Sequence, residues 1–177
     1  MEQDIKLIED AKKDPQKFVV LYDKYFDQIY RYIYRRVSDK DTVEDLASQT
    51  FYDAISHLQS YEWRGFPFSS WLYKIAHNNI LKWYRDHHKM HTVEIDAAHQ
   101  IADLHADQKE DAMKKEQSQE IQKVLQQLDP DEQEIIRLKY FEEVSNIEIA
   151  EIMGLSPNNI GVKIYRTLKK LKQLLKS

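Results

Sequence analysis

The sequence predicts an all-α protein made of two small helical domains joined by a flexible acidic linker. Three observations predict it. Glycine and proline are scarce, at 3 and 4 of 177 residues, while helix-compatible Ala, Leu, Ile, Lys, Glu and Gln are abundant. No run of alternating polar and apolar residues is bounded by turn signals, as a strand would be. Charge and aromatic residues are partitioned along the chain rather than mixed through it.

That partition sets the boundaries. Residues 1–90 balance 14 Lys/Arg against 14 Asp/Glu and hold 17 of the 20 aromatic residues. Residues 91–112, "HTVEIDAAHQIADLHADQKEDA", carry six acids, one Lys and no aromatic residue. With so little to bury, that stretch reads as a linker. Residues 113–177 return to near neutrality, so the net charge of −4 sits in the middle segment. We therefore read helical domains over 1–90 and 113–177, separated by a linker over 91–112.

In the first domain, "DTVEDLASQTFYDAISHL" (41–58) puts Val43, Leu46, Ala47, Phe51, Ala54, Ile55 and Leu58 on one helical face. The opposite face shows Glu44, Asp45, Ser48, Gln49, Tyr52 and Asp53. Next comes "SYEWRGFPFSSWLYKIAHNNILKWYRDHHK" (60–89), where Tyr61, Trp63, Arg64, Phe66 and Phe68 crowd a stretch containing Gly65 and Pro67. A helix is expected from about Ser69, burying Trp71, Leu72, Ile75, Ala76 and Trp83 and carrying Lys74, His77, Asn78, Lys82 and Arg85. Aromatics interleaved with cations suit single-stranded nucleic acid: bases stack on the rings and cations follow the backbone. Such a loop has the composition to hold a base pulled from a duplex. Ordinary core packing is the alternative for each of these rings.

In the second domain, Asp129 with Pro130 and Glu132 marks a helix start, and Ser145 with Glu148 marks another. Gly154 supplies the left-handed turn that ends the second of these helices. Ser156 and Pro157 open the last one, along which Ile160, Ile164, Leu168, Leu171 and Leu175 form an apolar stripe. Small Ala150, Gly154 four residues on and Ile160 six beyond that give the spacing of a helix-turn-helix. A helical hairpin that binds nothing is the alternative. From Ile152 to the C-terminus there are six Lys/Arg and no Asp/Glu, which favours DNA. Ser156, Asn158, Asn159, Val162, Lys163 and Arg166 lie at the start or outer face of the last helix, the part that enters a major groove. Amides and Arg form paired hydrogen bonds with base edges. Lys169 and Lys170 suit phosphates. Mid-helix Gly161 suggests close approach of its backbone to DNA or to a neighbouring helix, with a glycine merely tolerated there as the alternative.

Other chemistry is excluded. With no Cys there is no disulfide, thiol nucleophile or Cys-based zinc site. His87, His88 and His91 have no acid in register to complete a metal site. There is no Gly-rich phosphate loop and no Ser/His/Asp set. The expectation is no catalytic residue, no metal, no cofactor and no small-molecule substrate. The N-terminus "MEQDIKLIED" lacks an apolar signal core, and the longest apolar run, "FVVLY" (18–22), is far short of a membrane span. A soluble, cytoplasmic protein is expected.

The ordered set of these motifs resembles the extracytoplasmic-function branch of the sigma-70 family of RNA polymerase sigma factors, from about residue 18 to 175. "EDLASQTFYDAISHL" is similar to the family's polymerase-binding helix at Asp45, Leu46, Gln49, Phe51 and Ala54. "GFPFSSWLYKIAHNNILKWYR" is similar to its promoter-melting segment at Phe68, Trp71, Leu72, Ile75, Ala76 and Asn78. "LQQLDPDEQEIIRLKYFEEVSNIEIAEIMGLSPNNIGVKIYRTLKKLKQLL" is similar to its helix-turn-helix at Leu128, Ala150, Gly154, Ser156, Lys163 and Arg166. Thr50 stands where the family often has an acid, and Ser69 where it often has a base.

The resemblance implies a non-enzymatic initiation factor that binds core RNA polymerase through Asp45, Ser48, Gln49, Thr50, Phe51 and Tyr52. It implies a −10 element read as single strand by Tyr61, Trp63, Arg64, Phe66, Phe68, Lys74, His77 and Asn78. It implies a −35 element read as duplex by Ser156, Asn158, Asn159, Val162, Lys163, Arg166, Lys169 and Lys170. It also implies an anti-sigma factor, often membrane-bound, that masks these faces. The 22 residues of the linker can extend roughly 75 Å, enough for about two turns of duplex. The rival readings are a helix-turn-helix regulator that acts on duplex DNA without polymerase, and a helical adaptor that binds only proteins, against which the basic, acid-free last 26 residues argue.

Overall fold

The computed structural model describes residues 2–37, 39–88 and 123–175, and the regular structure in them is helical throughout. The linker read over 91–112, and the start of the second domain at 113, lie outside the described residues. The chain divides into two compact units. The first is built on α1 (Glu2–Lys13), α2 (Phe18–Tyr34), α3 (Lys40–His57) and α4 (Phe68–His88). The second is built on α5 (Pro130–Tyr140), α6 (Asn146–Met153) and α7 (Pro157–Leu174). Among the described residues no helix is long and apolar enough to cross a membrane.

In the first unit α2, α3 and α4 pack on one another and α1 lies against α2. Leu21, Ile29, Tyr32 and Ile33 of α2 are fully buried, as are Val43, Ala47 and Ala54 of α3 and Leu72, Tyr73 and Ala76 of α4. Small Ala54 and Ala76 are fully buried in α3 and α4, the two helices of this unit that pack together most extensively. The two largest buried rings, Tyr32 and Tyr73, meet at 4.9 Å between centroids. Burial leaves the Tyr73 hydroxyl in need of a partner, and the Gln28 amide donates to it at 2.8 Å. Buried Arg36 stacks over the Tyr32 ring at 3.5 Å, so its charge is placed on a π face rather than stranded in the core. Helix α4 starts at Phe68, one residue before the expected Ser69. Leu72 and Ala76 are fully buried, whereas Trp71, Ile75 and Trp83 are half-buried at the margin.

The second unit is organised by its caps. The Asp129 carboxylate accepts from the Glu132 N–H, and the Glu132 carboxylate accepts from the Asp129 N–H, closing a capping box with Pro130 in the first turn. Ser145 and Glu148 do the same at α6. Gly154 ends α6 at φ +68°, a conformation costly for any residue with a Cβ. The Leu155 N–H then donates to the Ala150 carbonyl at 2.9 Å, and Ser156 restarts the chain as the cap of α7. Ala150 and Ile160 are both buried, as the helix-turn-helix spacing requires.

One expectation about α7 is corrected, and one of the readings of Gly161 is removed. Its buried stripe is Ile160, Ile164 and Thr167, with Leu171 and Leu174 packed against Leu125, Leu128 and Ile136. At about 100° per residue these five positions share an arc of roughly 80°. Leu168 and Leu175 fall outside it and are 40% and 56% exposed. Gly161 approaches no neighbouring helix, since a Cβ built on it meets nothing within 4 Å. Its cost is then purely conformational. Gly161→Ala is expected to stabilise the unit by about 0.5–1 kcal/mol, read as a rise in the thermal midpoint of the full chain. A loss of promoter affinity in the same variant would show instead that DNA comes against that backbone.

Candidate nucleic-acid interface

Three surfaces emerge from this frame. The first is the outer face of α7. The Ser156 hydroxyl accepts from the Asn159 N–H at 3.4 Å, which fixes the first turn and turns Asn158 and Asn159 outward, both exposed. Opposite the buried stripe run Asn158, Val162, Tyr165 and Lys169, with Arg166 beside them, all exposed. Tyr165, 70% exposed, was missed in the sequence. Its signal was there: 158, 162, 165 and 169 recur at helical spacing on the face opposite the apolar stripe. Lys163 and Lys170 are placed differently. They flank the buried stripe on the side of α5, where Lys163 Nζ lies 3.6 Å from the Asp131 carboxylate. Lys170 Nζ lies 2.7 Å from the Glu132 carboxylate. The acids that start α5 therefore hold two of the cations expected on DNA. Both pairs are partly exposed and individually weak, so phosphate oxygens can compete for either lysine.

The second surface is the polar face of α3. The Asp39 carboxylate caps the helix, accepting from the Thr42 N–H at 2.9 Å and the Thr42 hydroxyl at 2.8 Å. These two donors hold its carboxyl below the usual range. Further along, Glu44, Asp45, Ser48 and Gln49 are exposed, and Tyr52 is 67% exposed. Asp53 accepts from Gln49 at 2.7 Å and from Asn79 of α4 at 3.0 Å, which ties this face to α4. Thr50 and Phe51 do not belong to the surface. Thr50 is fully buried, with its hydroxyl donating to the Leu46 carbonyl at 2.7 Å. Phe51 is buried against the rings of Tyr22 and Phe26, at 4.8 and 6.1 Å. The expectation that both side chains contact polymerase is corrected for that reason. An acid placed at position 50 of this structure would be a buried charge.

The third surface is the loop before α4. Gly65 takes φ +85° there. Trp63 is 49% exposed and Arg64 is exposed, while Phe66 is half-buried. Tyr61 and Phe68 are buried, and are corrected from reading residues to core. They form a platform joining the two ends of the loop: Tyr61 meets Phe68 edge-on at 5.4 Å, and both meet Trp71, at 4.7 and 5.3 Å. Burial raises the pKa of the Tyr61 phenol, with Asp4 adding to the effect. On α4, Asn78 is exposed and Lys74 and His77 are half-buried. His87 stacks on Trp83 at 4.5 Å. His91 lies outside the described residues. The described residues contain no grouping of His and acids that would hold a metal ion.

The family models agree with this layout. Residues 21–90 match Sigma-70 region 2, and residues 118–171 match Sigma-70 region 4. The RNA polymerase sigma factor YlaC of Bacillus subtilis is 32% identical over 154 residues, covering 86% of this chain and 88% of that protein. The extracytoplasmic-function sigma factor SigW of the same organism is 29% identical over 180 residues, covering 97% and 96%. Among solved structures, CnrH in complex with the cytosolic domain of CnrY matches with a TM-score of 0.69 at 22% identity, over 96% of this chain and 95% of that one. The sigma factor RpoE bound to the anti-sigma factor NepR from Bartonella quintana gives 0.66 at 23%, over 93% and 98%. At that identity the two structures speak for the fold alone. Fold, family models and a full-length relative converge: the chain belongs to the sigma-70 family of RNA polymerase sigma factors, as a region 2–region 4 member of its extracytoplasmic-function branch.

Proposed function

We propose that this factor divides promoter recognition between its two units, with α7 reading the −35 element as duplex and the loop before α4 holding the −10 element as single strand. As a sigma factor the chain directs transcription initiation and is not an enzyme. The observation that carries the division is the contrast between the two surfaces. The exposed stripe of α7 is amide-rich and basic on a rigid capped helix, suited to base edges and phosphates in a major groove. The loop presents a half-exposed indole, Trp63, between two buried rings, Tyr61 and Phe68, that anchor its ends, suited to an unstacked base. Asn158, Asn159, Val162, Tyr165 and Arg166 contact the bases, and Lys169 contacts phosphate. Lys163 and Lys170 join the phosphate contacts by leaving Asp131 and Glu132, and Ser156 holds the helix start in place. At the −10 element Trp63 and Phe66 stack, while Arg64, Lys74, His77 and Asn78 follow the strand. Binding energy for the opened strand drives melting, so no nucleotide hydrolysis by this chain is required.

Core polymerase docks on the α3 face at Asp45, Ser48, Gln49 and Tyr52, and residues 91–112 connect the two reading units. An anti-sigma factor masks these faces in the resting cell. Two proteins of the same fold are solved with protein partners, CnrH with the cytosolic domain of CnrY and RpoE with the anti-sigma factor NepR, and by analogy we place this factor in the cytoplasm under an inhibitor of this kind. The test is transcription by purified core polymerase on genomic promoter fragments. Specific starts that require this protein are expected, and they also supply the promoter sequences. The double variant Asp45→Ala/Gln49→Ala is expected to weaken core association about tenfold, as loss of two interfacial polar contacts does. Specific duplex binding by the chain alone, with no association with core, would overturn the reading in favour of a polymerase-independent regulator.

A further inference from the structure

Helix α1 lies ahead of the region-2 family match, which begins at residue 21. It is nevertheless built into the fold: Ile8 and Ala11 are buried, and its ends reach two parts of the aromatic platform. At its C-terminus the Lys12 ammonium donates to the Tyr61 carbonyl at 2.8 Å. The Lys12 carbonyl, one of those a helix end leaves unsatisfied, accepts from the Gln59 amide at 2.6 Å. The two bonds bracket residues 59–61 from both sides. Glu9, 3.3 Å from the Lys12 ammonium, keeps that side chain aligned. At its N-terminus the Asp4 carboxylate accepts from the Tyr25 hydroxyl at 3.0 Å and pairs with Lys24. The Tyr25 ring packs on Phe68 at 5.6 Å. Tyr61 and Phe68 are the two residues on which the loop over 62–67 begins and ends. Helix α1 thus holds the start of the loop through Lys12 and supports its end through Asp4 and Tyr25.

We propose that α1 is a brace for the strand-capturing loop, and that Lys12 and Gln59 are positioning residues fixing the point from which Trp63 is presented. The inference rests on the reading of Trp63 given above. A half-exposed ring captures a base well only if it is held before the strand arrives, because the loop's entropy is otherwise lost on binding. The bonds at Tyr61 restrain the chain two residues before Trp63. The Lys12 ammonium is engaged by the Tyr61 carbonyl and Glu9, so we route its effect through the loop.

The test uses holoenzyme reconstituted from the full chain and core polymerase. The probe is a fluorescent non-template-strand oligonucleotide from the −10 region of a promoter that the factor transcribes. Lys12→Met keeps the alkyl chain and removes the donor. It is expected to weaken oligonucleotide binding about fivefold, in keeping with a partly exposed charged hydrogen bond, with core association unchanged. Lys12→Arg, which retains a charged donor, is expected to restore most of the binding. In a Trp63→Ala background, Lys12→Met is expected to add nothing, since the two act through one contact. A full additional loss in that background, or a loss of core association matching the loss of oligonucleotide binding, would mark Lys12 as merely stabilising and overturn the proposal. Normal binding by Lys12→Met while Trp63→Ala is impaired overturns the brace alone. Normal binding by Trp63→Ala overturns the loop reading, and the brace with it.

Discussion

Trp63→Ala is expected to cut open-complex formation by roughly thirtyfold while leaving the factor folded and bound to core polymerase. Stacking of one base on an aromatic side chain contributes about 1–3 kcal/mol, and about 2 kcal/mol corresponds to roughly thirtyfold in a capture equilibrium. The ring is 49% exposed, so little packing is lost when it is truncated. Substitutions at such positions usually change stability by less than about 0.5 kcal/mol. Permanganate reactivity of thymines in the −10 region, measured with reconstituted holoenzyme, reports melting directly. A fluorescence titration of labelled factor with core reports docking. Melting at the normal level with intact docking would remove Trp63 from the capture site and leave Phe66 as the candidate ring.

The helix ends were legible because a cap is local chemistry. Asp129 with Glu132, Ser145 with Glu148, and Gly154 followed by Ser156 and Pro157 each need only residues within four positions of one another. The helix-turn-helix was legible for the same reason. The loop rings were not. Tyr61, Trp63, Phe66 and Phe68 look alike in the sequence, and what separates them arrives from elsewhere in the chain: Tyr25 from α2 against Phe68, and Lys12 from α1 against Tyr61. Phe51 was placed correctly on the apolar face by periodicity. The family motif then drew it, with Thr50, into the docking set, although the side chains point into the core.

The stripe of α7 shows a subtler limit. Steps of three and four from Ile160 admit either Leu168 and Leu175 or Thr167 and Leu174, and hydrophobicity alone prefers Leu168 to Thr167. The packing surface presented by Leu125, Leu128 and Ile136 selects the other register. It buries the Thr167 hydroxyl without a hydrogen-bond partner in exchange for a straight seam. The same rotation turns Lys163 and Lys170 toward the acids of α5 and frees Tyr165 for the outer face. A charge count found this helix basic; its orientation decides which of its cations start out available to DNA.

Phe68→Ala is expected to be strongly destabilising to the first unit, and to abolish docking and melting together. Phe68 is 2% exposed and contacts Tyr25, Tyr61 and Trp71. Truncating a buried Phe costs about 3–5 kcal/mol, through lost transfer energy and the cavity left behind. Small domains have about 5–15 kcal/mol in total, and each kcal/mol moves the midpoint by roughly 4–8 °C at this size. A fall of roughly 12–40 °C in the thermal midpoint follows, read by circular dichroism, with core association lost at assay temperature. Phe68→Leu separates this from a reading role. It keeps most of the volume and costs about 1 kcal/mol, so docking should persist and melting should stay near normal. If Phe68→Leu docks normally but fails to melt promoters, Phe68 touches the strand after all, and the platform opens during capture. If both functions survive in Phe68→Leu and both fail in Phe68→Ala, the ring is a support, and the specificity of the loop rests on Trp63 and Phe66.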